Sequence, residues 1–197
     1  MSARTRIWFL LAGVLLLTLL ALNFLNFQIA RSTTEANHSL SVYRADEALP
    51  DNMAPRFTLY YAVSDEERLT AALASALQAA LERQPSVGAA TAVSGPRQSE
   101  GAPFLLVEIT PDRLWTPVYS RATLEAQLYY AYDGDAPWPL DEPVVFSVSP
   151  AVKADGEFTL VDTTWGLISK PAYSEHLAQA LARAIAVALQ EQVFALP

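Results

Sequence analysis

The chain contains no cysteine. That removes disulfides, thiolate zinc sites, iron–sulfur ligation, a cysteine nucleophile and a lipid-modified cysteine near the N-terminus. Histidine is almost absent as well: His38 and His176 are the only two among 197 residues. A histidine-based metal site or a Ser-His-Asp triad needs such side chains to converge with others, and two so far apart argue against both. There is no Gly-x-Ser-x-Gly elbow, no His-Glu-x-x-His pair, no phosphate loop and no dinucleotide fingerprint. Internal repeats and low-complexity tracts are also missing. Positive charge is in short supply, with 13 Lys and Arg against 21 Asp and Glu. Arg4 and Arg6 are the only charged side chains in the first 30 residues, so the rest carries a formal −10. A body of that sign is a poor partner for DNA, RNA or anionic lipid headgroups. These absences predict no nucleic acid, no cofactor, no metal and no catalytic residue set.

Charge is missing altogether from Ile7 to Ala30. These 24 residues exceed the roughly 20 apolar residues that a helix needs to cross a bilayer. The expected anchor is 7–30, with Trp8, Phe9, Leu16, Leu20 and Phe24 facing lipid. Arg4, Arg6 and the α-amino group precede it, and only Arg31 follows closely before Glu35. Positive charge on the N-terminal side keeps residues 1–6 in the cytoplasm and puts the rest of this single-pass signal-anchor protein outside it, in the periplasm or the extracellular space. A cleaved signal peptide is the competing reading. Its apolar region is shorter, about 7–15 residues, and it ends at a small-x-small site, for which Gln28-Ile29-Ala30 and Thr34-Glu35-Ala36 are poor matches.

Residues 31–55 show no stable period and read as a tether, with a short strand or turn near Leu40-Ser41-Val42-Tyr43. Asn37-His38-Ser39 matches a glycosylation acceptor, a three-residue pattern that arises often by chance. A domain is expected over 56–197. Arg56 to Val63 alternates as a half-buried strand. Ser64-Asp65-Glu66-Glu67 reads as a capping box for a helix whose stripe is Leu69, Leu73, Leu77 and Leu81. Residues 85–102 read as a loop with a short edge strand at 87–93. Strands are expected at 104–110, 119–132 and 144–149, with an arm at 111–117 and a hairpin turn at Lys153-Ala154-Asp155-Gly156 leading into a return strand at 157–168. A bulge fits near Asp162 and Gly166. Pro171 or Ser174 opens a last helix with the stripe Leu177, Leu181, Ile185, Ala188, Leu189 and Val193.

This order predicts an α+β fold: a transmembrane helix, then a two-layer sandwich of about five mainly antiparallel strands with both helices on one face. The order of elements, and no residue motif, is similar to that of small periplasmic accessory domains such as the lipopolysaccharide-assembly lipoprotein and the N-terminal domain of TolB. No site is carried over from that likeness. The uncovered sheet face is expected to carry Arg56, Thr58, Tyr60, Leu106, Glu108, Arg121, Thr123, Glu125, Gln127, Tyr129, Val145 and Ser147. A solvated antiparallel face is common. Tyrosine and arginine also favour interfaces, so Arg56, Thr58, Tyr60, Arg121, Glu125, Gln127 and Tyr129 form the candidate partner-binding face.

The expected role is an accessory or binding subunit, without catalysis of its own, docked to another membrane or envelope complex. The alternative is an extracytoplasmic carbohydrate-active hydrolase pairing Asp162 with Asp133 or Asp135, which requires carboxyls about 5–9.5 Å apart. Asp133, Asp135, Asp141 and Glu142 fit a calcium loop poorly. A carrier of small apolar ligands needs a cavity between helices and sheet, against which the many alanines of both helices argue. Trp115 and Trp138 sit between prolines, as interface anchors or as packing over the sheet rim.

Overall fold

The computed structural model describes residues 3–43, 56–65, 69–94, 101–133 and 152–194. In chain order the elements are α1 (Ala3–Phe24), β1 (Gln28–Tyr43), β2 (Phe57–Asp65), α2 (Thr70–Leu81), β3 (Val87–Ala92), β4 (Phe104–Trp115), β5 (Tyr119–Ala131), β6 (Lys153–Ile168) and α3 (Lys170–Leu189). A π-helical turn, Gln190–Phe194, prolongs α3. The fold is mixed α+β, with six strands in one sheet in the order β1-β6-β5-β4-β2-β3. The run β1 to β4 is antiparallel, whereas β2 pairs in parallel with both β4 and β3. The β2-to-β3 connection is α2, the crossover that a parallel neighbour requires.

The main departure from the sequence reading is β1. Residues 31–43 are not a tether but most of a 16-residue strand, paired with β6 from Gln28↔Ile168 to Tyr43↔Lys153. The expected anchor is shortened for the same reason: α1 stops at Phe24, and residues 28–30 already belong to the sheet. The remainder of the expected tether, 44–55, lies outside the described residues. So do the expected strand at 144–149, Asp135, Trp138, Asp141, Glu142, Val145 and Ser147.

Three local readings are corrected. Ser64 is not the N-cap of α2: Ser64 and Asp65 continue β2 opposite Glu108 and Ile109 of β4, and α2 starts at Thr70 with Leu69 at its N-cap and no side-chain cap bond; Glu66 and Glu67 lie outside the described residues. The arm at 111–117 is largely strand. Pro111 lies beyond Ile109, the last residue of β4 that pairs with β2 among the described residues, a place where a strand tolerates a missing N–H. The turn at Lys153–Gly156 is strand as well, with Gly156 facing Leu40 of β1 and Leu128 of β5. A Cβ on Gly156 would stand 2.4 Å from the Ser39 carbonyl oxygen, so glycine serves close strand approach there rather than a turn. Register runs unbroken through Asp162; the left-handed residue is Gly166, at φ 114°, where pairing to β5 ends.

Both helices cover the same face of the sheet. Leu69, Leu73, Leu77 and Leu81 of the α2 segment, together with Leu177, Leu181, Ile185 and Leu189 of α3, are fully buried. They pack on the inward residues of the strands, among them Leu59, Tyr61, Leu105, Val107, Leu124, Leu128, Phe158 and Leu160. Ala178, Ala182, Ala186 and Ala188 are buried on α3, so the two helices approach one another and the sheet closely. Phe194 closes the far end, its ring edge-on to Phe57 and Tyr130 at 5.3 and 5.6 Å.

Candidate functional site

The uncovered face follows from the alternation of side chains along paired strands. One row crosses the sheet as Ser39, Glu157, Gln127, Glu108 and Ser64; the next is Asn37, Thr159, Glu125 and Thr110. Beyond these lie Glu35, Val161, Thr123 and Asp112, then Thr33, Thr163, Arg121 and Leu114. The β2, β4, β5 and β6 members of the first two rows form a shallow trough of about 460 Å³, with Glu108, Glu125 and Glu157 among its walls.

The expected partner-binding residues divide on this face. Arg121, Glu125 and Gln127 are exposed side by side along β5. Thr58 and Arg56 are exposed at the other end, near the edge strand β3, with an Arg56 guanidinium nitrogen donating to the Val87 carbonyl at 3.3 Å. Tyr129 is corrected: it is only 2 % exposed and belongs to a small second cluster with Ala62, Phe104, Leu106 and Ala131, against which Tyr60 packs half-buried. Of the two tyrosines, Tyr129 is therefore a packing residue, whereas Tyr60 keeps part of its surface open. Sequence alternation placed Leu106 and Tyr129 on the correct side of the sheet, but it carried no information on what lies above them.

A polar cluster missed by sequence reasoning sits under α3. Asp162, at 0 % exposure, accepts from the Thr34 hydroxyl at 2.6 Å, from the Thr164 hydroxyl at 2.9 Å and from His176 Nε2 at 2.9 Å. Ser32 and Thr164 share a further hydrogen bond of 2.7 Å. Burial pushes the Asp162 carboxyl up, but the bonds from His176, Thr34 and Thr164 outweigh it and hold the group below the usual carboxylate range. The Tyr173 hydroxyl is buried close to Asp162 without a well-formed hydrogen bond; burial first, and then the neighbouring Asp162 carboxylate, raise that phenol.

This cluster is not a triad. The nitrogen that meets Asp162 is also the one 3.3 Å from the Thr34 hydroxyl. A triad histidine needs its acid on one ring nitrogen and its nucleophile on the other. The Thr34 hydroxyl donates its hydrogen bond to Asp162 rather than to the imidazole, so His176 is not placed as its base. The arrangement ties β1, β6 and α3 together.

Of the other candidate acids only Asp133 is among the described residues, and it does not meet Asp162. Asp133 lies 3.9 Å from Lys153 Nζ at the opposite end of β6. Nine residues of strand separate Lys153 from Asp162, roughly 30 Å, far beyond glycosidase spacing. Among the described residues no group of three His, Asp or Glu side chains is placed to hold a metal. His38 is in β1, stacked on Phe158 at 5.3 Å and bonded to Gln192 at 3.1 Å. Trp115 is half-buried, its indole N–H donating to the Ile168 carbonyl at 3.3 Å. The space beside the helices, about 750 Å³, is an open surface groove floored by Ala72, Ala76 and Ala80 and flanked by Arg83 and Arg183, not a cavity against the sheet.

Of the expected anchor, Ile7–Phe24 is long and apolar enough to span a bilayer, a test that a signal sequence near the N-terminus also passes. Trp8, Phe9, Leu16, Leu20 and Phe24 are all exposed. Leu22 is the exception at 4 %, buried where the last turn of α1 meets α3. The junction is tied by Asn26 to Glu175 at 2.8 Å, by the Phe27 N–H to the Ser169 hydroxyl at 3.1 Å, and by the Ser169 N–H to the Phe27 carbonyl at 3.0 Å.

No protein-family model matches this chain, and no curated protein does. Among solved structures it is similar to the PelC dodecamer from Paraburkholderia phytofirmans, at 11% identity and a TM-score of 0.38, covering 83% of this chain and 97% of that one. A variant of the same dodecamer gives 11% identity and a TM-score of 0.40, covering 77% of this chain and 96% of that one. Similarity at this level assigns neither a family nor a function.

Proposed function

We propose that the chain is a single-pass, membrane-anchored accessory subunit that docks to another protein of a membrane or envelope complex and has no catalysis of its own. In this reading residues 1–6 stay in the cytoplasm, α1 is the uncleaved anchor, and the extracytoplasmic domain begins at Gln28. The observation that carries it is the uncovered face of β1, β6, β5 and β4, where Arg121, Glu125 and Gln127 stand exposed while both helices occupy the opposite side. Exposed polar side chains on a rigid, paired backbone suit recognition, since little side-chain or backbone order has to be gained on binding. The buried acid of the domain is engaged in bracing rather than presented to a cleft, in keeping with a non-catalytic role.

The test is site-specific photocrosslinking in native membranes. A photoreactive residue at Glu125 or Gln127 is expected to give one discrete adduct with a membrane or envelope protein, and the same residue at Gln179 or Arg183, on the helical side, is not. No adduct from either face, or equal adducts from both, contradicts the proposal.

A further inference from the structure

One end of the sheet is unlike the rest of the molecule. It is made by the start of β1, the end of β6, the turn between β4 and β5, and the first turn of α3. On its uncovered face Ile29 lies opposite Leu167, and Trp165 lies between Arg31 and Tyr119. Ile29 is 74 % exposed, Trp165 64 % and Val118 59 %. The Trp165 and Tyr119 rings touch, with centroids 4.5 Å apart. The exposed cations Arg31, Arg121 and Lys170 fringe this patch. In an acidic chain this end therefore combines apolar, aromatic and basic side chains, the mixture found at the interface of a bilayer.

The end is also the one from which α1 leaves. Only three residues separate Phe24 from Gln28, and the bonds at Asn26 and Phe27 fix that junction to α3. Leu22 is covered by the domain, so the domain reaches back alongside the last turn of α1 instead of standing off from it. The span Ile7–Phe24 has 18 residues, a rise of about 27 Å, close to the ~30 Å hydrocarbon thickness. Its outer end thus falls near Phe24, and a surface level with Leu22 to Ile29 falls at headgroup depth.

From this juxtaposition we infer that the Ile29, Trp165, Leu167 and Val118 patch rests on the bilayer surface, with Arg31, Arg121 and Lys170 reaching the phosphate layer. The occupant is lipid, because the patch is continuous with the anchor and a tied junction leaves no slack to lift it away. The inference rests on the anchoring reading and adds an orientation: the strands rise from the bilayer at this end, and the acidic trough, on the same face but about 26 Å along β6 from Trp165, is held farther from the membrane. Repulsion of the acidic body by anionic lipid is then limited by distance.

The experiment uses the full chain in phosphatidylcholine nanodiscs, with and without phosphatidylglycerol. Since no cysteine is native, Ile29→Cys, Trp165→Cys, Glu157→Cys and Leu16→Cys each carry one spin label. Position 157 shares strand and face with 165 but lies about 26 Å along it, and Ile29→Cys leaves Trp165 in place. Labels at 29 and 165 are expected to show an oxygen-to-nickel-complex accessibility ratio several-fold above that at 157. Ratios equal to that at 157, while the label at 16 reports hydrocarbon, overturn the inference and leave the anchor intact. A water-like label at 16 means that the anchoring reading itself has failed. Dipolar broadening between copies at 165 means that a second chain covers the patch, which also overturns it.

Discussion

Replacing Asp162 tests how the domain is held to its first strand. The carboxylate is fully buried and accepts three hydrogen bonds, from β1, from its own strand and from α3. Asp162→Ala removes the shared acceptor. The His176 side chain, 25 % exposed, recovers part of its loss from water, and Thr164 keeps Ser32. Thr34 has only the long contact to His176 left. What is left behind is a half-buried hydroxyl donor without a good acceptor and a small void, so the loss is about 2–4 kcal/mol. Asp162→Asn preserves shape and one acceptor oxygen but surrenders the charge, for which about 1.5–3 kcal/mol is expected. The pH dependence follows from the lowered carboxyl. A group whose folded pKa lies below its unfolded value stabilises the fold above the unfolded value, and that stability is lost as pH falls through the folded one. With an unfolded Asp near 3.9, the parent should lose this contribution from about pH 5 downwards, and Asp162→Asn should lack that part of the slope. Urea unfolding of the full chain in detergent, followed by far-UV circular dichroism from neutral to acid pH, measures both. A double-mutant cycle with His176→Ala should show coupling. If Asp162→Ala unfolds within about 0.5 kcal/mol of the parent, or if the Asn variant keeps the parent's acid slope, the brace is not what holds β1.

Gly156→Ala forces a Cβ within 2.4 Å of the Ser39 carbonyl oxygen and 2.8 Å of Leu40. It should cost at least about 1–3 kcal/mol and raise amide exchange along β1, which hydrogen-exchange mass spectrometry reads. Leu77→Ala, at a fully buried α2 position, should cost about 2–5 kcal/mol in the same unfolding assay. Arg121→Ala, Glu125→Ala and Gln127→Ala should each stay within about 0.5 kcal/mol of the parent while together weakening the proposed crosslink. Leu16→Arg puts a charge near the middle of the apolar span, a cost of about 2.5–3.5 kcal/mol for insertion, and should shift the chain out of the membrane fraction.

The elements legible in the sequence are those whose inward positions are apolar. Leu73, Leu77 and Leu81 announce α2, and Leu177, Leu181 and Ile185 announce α3, because each stripe faces a hydrophobic sheet. Residues 57–63, 104–110 and 119–131 alternate because one side of each strand lies in that same core. β1 has the same geometry but not the same chemistry. Its inward residues include Ser32, Thr34 and His38, which meet Thr164, Asp162 and Phe158, so strand pairing leaves no hydrophobic period to read.

Asp162 was conspicuous as an acid interrupting an apolar strand. Its burial follows from carrying the phase of Phe158 and Leu160 forward by two residues, but its partners come from segments 14 and 128 residues away. Asp155-Gly156 resembled a turn because the dipeptide is one in most settings; here glycine answers the approach of β1. Alternation alone shows that Arg121, Glu125 and Gln127 of β5 share an exposed face. It does not reveal that Tyr129, on the same side, is buried in a second cluster against which Tyr60 packs half-buried.

An anchored, extracytoplasmic domain is tested most directly by the side of the membrane on which the sheet lies while α1 remains attached. A single cysteine at position 125, in an otherwise cysteine-free chain, can be challenged with a membrane-impermeant thiol reagent in sealed right-side-out vesicles, and the labelled chain weighed intact. Full labelling before lysis is expected, on a membrane-bound chain that retains residues 1–24. Labelling only after lysis, or a labelled product that lacks α1 and is free of the membrane, contradicts it.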